Sequence, residues 1–286
     1  MSITSPAVPF LESSPTSTPG APALLGVPYE GTACFRKGTA RGPDAIREVS
    51  DGLESYSPFH DRDLRDTSFA DLGNVTLLVD DPEGITKHLR EVCRSLFQEQ
   101  VTPVLLGGEH SFTPGAVAAA LEVHPELAVL QLDAHADLRE EWTATRWSHA
   151  CAMRRILDLL PSDRLLQCGI RSGTREEFAE LRESNRLVAP DAIDLHDALK
   201  ALGSAPLYLT LDLDIFDPAL LPGTGTPEPG GIDWPIFESL LAVIPWSRVV
   251  ACDIVELAPA LDPSDCSAIL AAKIVREIVL ALAHSK

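Results

Sequence analysis

Two short strings carry most of the chemistry legible in this chain: Asp133-Ala-His135-Ala-Asp137 and Asp212-Leu-Asp214. Each closes an apolar run, with Val129, Leu130 and Leu132 before the first and Leu207, Tyr208, Leu209 and Leu211 before the second. Such runs predict buried strands, and on a strand alternate side chains share a face. Asp133, His135 and Asp137 are therefore expected to project together at one strand's carboxyl end, and Asp212 and Asp214 at another's. Carboxylates crowded at the end of an apolar sheet repel one another and lose hydration. Two divalent cations would neutralise the four Asp side chains, and oxygen-rich ligands with a little imidazole suit Mn²⁺ better than a thiolate-seeking metal. A third string, Gly107-Gly108-Glu109-His110-Ser111, adds an imidazole after the apolar run Val104 to Leu106. Together these strings point to hydrolysis at a two-metal site. The alternative is a set of solvated carboxylates at loop ends, capping helices.

The elements that must position these residues alternate between strand and helix. Strands are expected at Ala23 to Val27, Thr102 to Leu106, Leu127 to Leu132, Leu165 to Gly169, Leu207 to Leu211 and Val249 to Val255. Asp81-Pro82-Glu83 starts a helix running towards Gln98, with Asp as N-cap and Pro at the first helical position. Further helices are expected from Gly42 to about Val49, Pro114 to about Val123, Ala150 to Leu160 and Arg175 to Glu183, with a last one from near Pro263. In that last helix Leu270, Ile274, Ile278 and Leu282 form one apolar stripe. Alternation of this kind implies a mostly parallel sheet covered on both faces, as a barrel or as an open three-layer sandwich. In both, a site lies where the strands end.

Composition narrows the function. A chain of 286 residues, 45% of them hydrophobic, can bury a large core. A formal charge of −19, from 42 acidic and 23 basic residues, argues against nucleic acid and anionic membranes and suits a cationic substrate. No apolar stretch is long enough to span a bilayer. The six cysteines show no Cys-x-x-Cys pair and are expected to be reduced. Residues 1–22, rich in Pro, Ser and Thr, read as a flexible tail, and 23–286 as one catalytic domain. A cytoplasmic location is expected.

The chain also resembles a known family, the ureohydrolases (arginases and agmatinases), and agmatinases most closely. The likeness rests on Cys34-Phe35-Arg36-Lys37-Gly38-Thr39, Gly42-Pro43, Ala45-Ile46-Arg47-Glu48, the three strings above, Ser148-His149-Ala150 and Gly169-Ile170-Arg171-Ser172. Gly223-Thr224-Gly225-Thr226-Pro227-Glu228-Pro229-Gly230-Gly231 and Asp253-Ile254-Val255-Glu256 complete it. The resemblance implies the open arginase-like fold, a three-layer α/β/α sandwich, and two Mn²⁺ per subunit, with Ni²⁺ as the alternative. One ion would take His110, Asp133, Asp137 and Asp212, the other His135, Asp133, Asp212 and Asp214, with Asp133 and Asp212 bridging. By the same resemblance Glu256 anchors a guanidinium, Thr226 and Glu228 contact substrate, and His149 carries protons to the leaving amine.

The resemblance further implies a small guanidino substrate and a homotrimer or homohexamer. The loop from Leu138 to His149 lacks the Asn- and Ser-bearing pattern with which arginases hold an amino acid, which favours agmatine, cleaved to urea and putrescine. Arg139 and Arg146 argue for a carboxylate tail, as in guanidinobutyrate, while Trp142 and Trp147 argue for a smaller guanidine. A non-catalytic regulator of the same fold is the alternative of another class; the complete ligand set speaks against it.

Overall fold

The apolar runs pair side by side as parallel strands, because only a sheet covered on both faces removes such runs from water. The structure is a computed structural model that describes residues 3–4 and 8–285. In chain order its elements are β1 (Ile3–Thr4), β2 (Pro22–Val27), α1 (Gly42–Ser50), β3 (Tyr56–Ser57), β4 (Arg62–Asp63), β5 (Ala70–Val75) and α2 (Pro82–Gln98). There follow β6 (Thr102–Gly107), α3 (Thr113–Val123), β7 (Ala128–Leu132), α4 (Ala152–Leu157), β8 (Leu165–Cys168), α5 (Arg175–Ser184) and β9 (Leu187–Val188). The last are α6 (Ala192–Ala201), β10 (Leu207–Asp212), α7 (Trp234–Val243), β11 (Val249–Val255) and α8 (Cys266–Ala283). Apart from the small β3–β4 hairpin, the strands form one nine-stranded sheet in the order β1-β5-β2-β6-β11-β10-β7-β8-β9. Among the described residues only β1 of that sheet runs antiparallel, against β5.

Strand residues alternate between two cores. Leu207, Leu209 and Leu211 of β10, Leu130 of β7 and Leu106 of β6 pack with residues of α1, α6, α7 and α8. Tyr208, Val129 and Leu105 face the other way, against α2, α3, α4 and α5. The result is a three-layer α/β/α sandwich, and the expected strands and long helices appear close to their expected bounds.

Several elements differ from expectation, for local reasons. α8 starts at Cys266, later than Pro263, because Asp262 draws the N–H groups of Ser264 and Ser267 into a turn and Asp265 takes a left-handed backbone (φ 60°). Helix α4 is shorter than Ala150 to Leu160, with a 3₁₀ turn at His149–Cys151 ahead of it. Strands β5 and β9 and helices α6 and α7 lie outside the expected set. β5 holds Gly73 and Asn74, which break its apolar alternation, and α6 buries only Leu195 and Leu199. The stretch read as a flexible tail is a correction: its described part is packed. Phe10 is 1% exposed, meets Phe69 edge-on, and donates its N–H to Asp71, while Ser14 bridges to Ala70. One buried ring and pairing along the outer side of β5 suffice to hold a segment whose composition alone reads as disordered. Residues 1, 2 and 5–7 of that stretch lie outside the described residues. Among the described residues no helix is long and apolar enough to cross a membrane.

Candidate active site

All three strings and Glu256 converge at the carboxyl ends of four neighbouring strands in mid-sheet, β6, β11, β10 and β7. His110 follows β6 in a 3₁₀ turn, Asp133 follows β7, Asp212 ends β10 and Glu256 follows β11. Strand alternation explains this only in part, because β7 stops at Leu132. Asp137 returns to the cluster through a left-handed backbone (φ 53°), and Asp214 sits in a 3₁₀ turn whose N–H is held by Asp212 Oδ1 at 2.9 Å. Glu256 is also left-handed (φ 69°), a conformation that costs a non-glycine residue roughly 1 kcal/mol or more. Its N–H donates to the Gly108 carbonyl, and its Oε1 accepts the His110 N–H at 2.7 Å. Gly108 has no room for a side chain, since a Cβ there would lie 2.0 Å from the Tyr29 carbonyl oxygen.

The six residues expected as ligands form two adjoining groups. His110 Nδ1 lies 3.3 Å from Asp133 Oδ2, 3.2 Å from Asp137 Oδ2 and 3.5 Å from Asp212 Oδ2. His135 Nδ1 lies 2.8 Å from Asp214 Oδ2 and 3.8 Å from Asp133 Oδ1. Asp133 thus belongs to both groups.

A second row of polar side chains lies one pleat deeper on the same sheet face. Asp253 of β11, Thr210 of β10, Gln131 of β7 and Gln167 of β8 stand in register across the strands, all four fully buried. The Thr210 hydroxyl donates to Asp253 Oδ1 (2.5 Å), and Tyr208 and Thr113 donate to Oδ2. With its proton so committed, Thr210 Oγ1 must accept from His110 Nε2, 2.8 Å away. That assigns the Nε2–H to His110 and turns the Nδ1 lone pair towards three carboxylates. His110 Nδ1 is buried, and among the described residues it has no hydrogen-bond partner. One ring nitrogen facing three carboxylates requires a cation among them, a proton on Nδ1 or a metal in its place, so this donor set fits a divalent metal. Gln131 Nε2 donates to Asp133 Oδ2 (2.7 Å), and Gln167 holds Gln131 in turn.

Electrostatics point the same way. Burial, then Asp214 and Asp137, push the Asp133 carboxyl up to about 7, and burial with Asp214 raises Asp212. Burial would depress His135, but Asp214 and Asp133 outweigh it and lift the imidazole to about 11. Burial likewise opposes a charged His110, and Asp133, Asp137 and Asp212 overcome it. For Asp214 the order is reversed: burial raises it, and His135 prevails in lowering it. The cluster as a whole attracts positive charge.

Above the cluster lies a cavity of about 130 Å³ walled by His110, His135, Asp137 and Asp212 on one side and by Glu256, Thr226 and His149 on the others. Burial and the charge of Glu109 raise the Glu256 carboxyl. Thr226 Oγ1 is 3.5 Å from Asp214 Oδ2. Cys34, Arg139, Trp142 and Ala150 complete the wall. The Arg139 guanidinium lies 4.2 Å from the Trp142 ring centroid, and among the described residues no carboxylate pairs with it. Arg146 and Trp147 are not in this wall, and Arg146 pairs with Asp158 on the surface. Glu228, expected to contact substrate, lies outside this wall. Its carbonyl is fixed by Arg171, whose guanidinium also takes the carbonyls of Asp214 and Ile215. That glutamate serves the loop's anchorage through its backbone.

The deeper row was missed by sequence reasoning, although a signal exists. Gln131, Thr210 and Asp253 are polar interruptions of apolar strands, each two residues before a strand end or site carboxylate. Thr32, which meets His149, gives no local signal, because its contact spans 117 residues of chain.

The Arginase family model matches residues 21–281 of the chain. An agmatinase of Halalkalibacterium halodurans is 37% identical over 261 residues, covering 90% of each chain. An N(1)-aminopropylagmatine ureohydrolase of Thermococcus kodakarensis is 37% identical over 262 residues, covering 88% of this chain and 87% of its own. The solved agmatine ureohydrolase of Thermoplasma volcanium superposes with a TM-score of 0.83 at 30% identity, covering 96% of this chain and 94% of its own. With that match over most of its length and an acidic-imidazole cluster at the strand ends, this chain is an amidinohydrolase and belongs to the Arginase family.

Proposed function

We propose that the protein is a binuclear manganese enzyme that hydrolyses agmatine to putrescine and urea. The observation that carries this reading is the single cavity walled on one side by the Asp/His cluster and on the other by Glu256. One Mn²⁺ would be held by His110, Asp133, Asp137 and Asp212, the second by His135, Asp133, Asp212 and Asp214, with Ni²⁺ as the alternative ion. When bound, such cations supply a nucleophile from water at neutral pH. The remaining work falls to the chain. Glu256, fixed by the His110 N–H, offers a carboxylate that can take two guanidinium N–H bonds side by side. Thr226 presents a hydroxyl to the same group. Hydrolysis of R–NH–C(NH₂)₂⁺ with one water gives R–NH₃⁺ and urea, so the leaving nitrogen must gain two protons from that water. His149, on the cavity wall, takes and returns one of them at Nε2.

The agmatine assignment draws on relatives bearing that name and on the absence of an arginase-type amino-acid clamp. Arg139 favours a second reading, a guanidino acid such as guanidinobutyrate, whose carboxylate would meet this unpaired guanidinium. A cytoplasmic trimer or hexamer built from one catalytic domain over 23–286 is part of the proposal. The test is urea release from agmatine, N(1)-aminopropylagmatine, guanidinobutyrate, arginine and guanidine, with metal content measured on the same sample. Agmatine should give the highest kcat/KM on the Mn²⁺-loaded enzyme. A metal-loaded protein that prefers guanidinobutyrate would replace the first reading with the second.

A further inference from the structure

We propose that Thr32, locked by the buried carboxylate of Glu109, is a positioning residue that holds His149 in the tautomer with its proton on Nδ1 and its lone pair on Nε2. The inference deepens the role just given to His149 and rests on that reading for its catalytic consequence. Glu109 is fully buried, and every partner it has is a donor. Its Oε2 accepts the N–H groups of Gly31 (3.0 Å) and Thr32 (2.7 Å), and its Oε1 accepts the hydroxyls of Ser111 (2.5 Å) and Thr32 (2.7 Å). The Thr32 proton is thereby committed to Glu109.

A hydroxyl has one proton and two lone pairs. Thr32 Oγ1 spends one lone pair on the His149 backbone N–H, 3.1 Å away. Its second faces His149 Nδ1 at 3.0 Å. With no proton left to give, Thr32 can only accept there, so Nδ1 must carry the hydrogen. Ser148 Oγ also approaches Nδ1, but at 3.4 Å, and is the weaker partner. Burial lowers the proton affinity of His149, which keeps the ring neutral and makes the choice of tautomer matter. The lone pair then resides on Nε2, the ring atom that meets Cys34 Sγ at 3.6 Å on the cavity wall. The opposite tautomer would place an N–H there and leave nothing to receive a proton. The arrangement is a carboxylate–hydroxyl–imidazole chain whose carboxylate orients a base it never touches.

Two measurements test this. Long-range ¹H–¹⁵N spectra of histidine-labelled protein, loaded with a diamagnetic divalent cation at pH 8, report the His149 tautomer directly. A proton on Nδ1 in the wild type is expected; a proton on Nε2 overturns the proposal, whatever the substrate proves to be. Kinetically, Thr32→Val should lower kcat by about 10- to 100-fold with KM and metal content little changed, and Thr32→Ser should restore it to within a few-fold. In a His149→Asn background, Thr32→Val should cost nothing further. A full additional loss in that background, or a loss of bound metal, would make Thr32 a structural prop of its loop and defeat the idea. Should Thr32→Val fail to fold, the wild-type tautomer and the Thr32→Ser kinetics still decide. Failure of the wild type to release urea from any guanidino compound would strike at the proposed function and leave the tautomer measurement standing.

Discussion

Asp133 is the side chain on which the two candidate ligand groups meet, with Oδ2 facing His110 and Oδ1 facing His135. Removing it should empty both positions, whereas Asp214 serves only the His135 group. Asp133→Ala is therefore expected to bind close to no metal and to be inactive, while Asp214→Ala keeps about one ion per subunit. Metal analysis after gel filtration checks this, and equal retention in the two variants would refute the shared role. Glu256 calls for the opposite outcome. Glu256→Gln still offers a carbonyl oxygen to the His110 N–H and should keep its metals. It loses the charge that pairs with a guanidinium, a change of ~2–4 kcal/mol, so kcat/KM should fall about 30- to 1000-fold. Near-normal urea release from a fully loaded variant would reduce Glu256 to a strand-end carboxylate. At this scale the sequence was informative wherever a site residue sits within two or three positions of an apolar run. It was silent on Thr32, whose relevance depends on a partner 117 residues away.

The strands do more than deliver side chains to one edge. Their parallel register stacks Asp253, Thr210 and Gln131 directly beneath the ligand layer, so that the sheet itself sets the His110 tautomer. Thr210→Val keeps the shape of β10 but leaves His110 Nε2–H and Asp253 Oδ1 without a partner. Metal affinity should fall by about 10- to 100-fold, read by competition with a chromogenic chelator, and stability by about 1–3 kcal/mol. Unchanged affinity would show that the row does no more than fill space. The strand runs and the capped start of α2 were legible because they follow local signals. Helices α6 and α7 and strand β5 were not, since a narrow buried stripe or an embedded Gly-Asn pair is uninformative until the neighbouring layer is in place.

Over the whole molecule, an acidic chain of net charge −19 concentrates several buried carboxylates at one edge of its sheet. Cations bound there stabilise only the folded state, by about 2.7 kcal/mol at a hundredfold excess over Kd. Chelation should therefore lower the Tm by roughly 5 °C or more, and Mn²⁺ should restore it. A Tm indifferent to chelator would argue that the protein holds no tightly bound metal. The three-layer architecture was expected from the alternation of elements together with family resemblance, since alternation alone leaves a barrel equally open. What composition misjudged was the amino-terminal stretch, where Phe10 and the Ser14 bridge close the outer side of β5.

The position of β11 has a consequence for how the protein is made. This strand lies between β6 and β10, so it separates His110 from every carboxylate that approaches its Nδ1. All six candidate ligands leave the ribosome before residues 249–255 do, yet the sheet cannot draw His110 into register until that late segment threads between its neighbours. A nascent chain thus carries the six ligands before it holds the strand that brings them together.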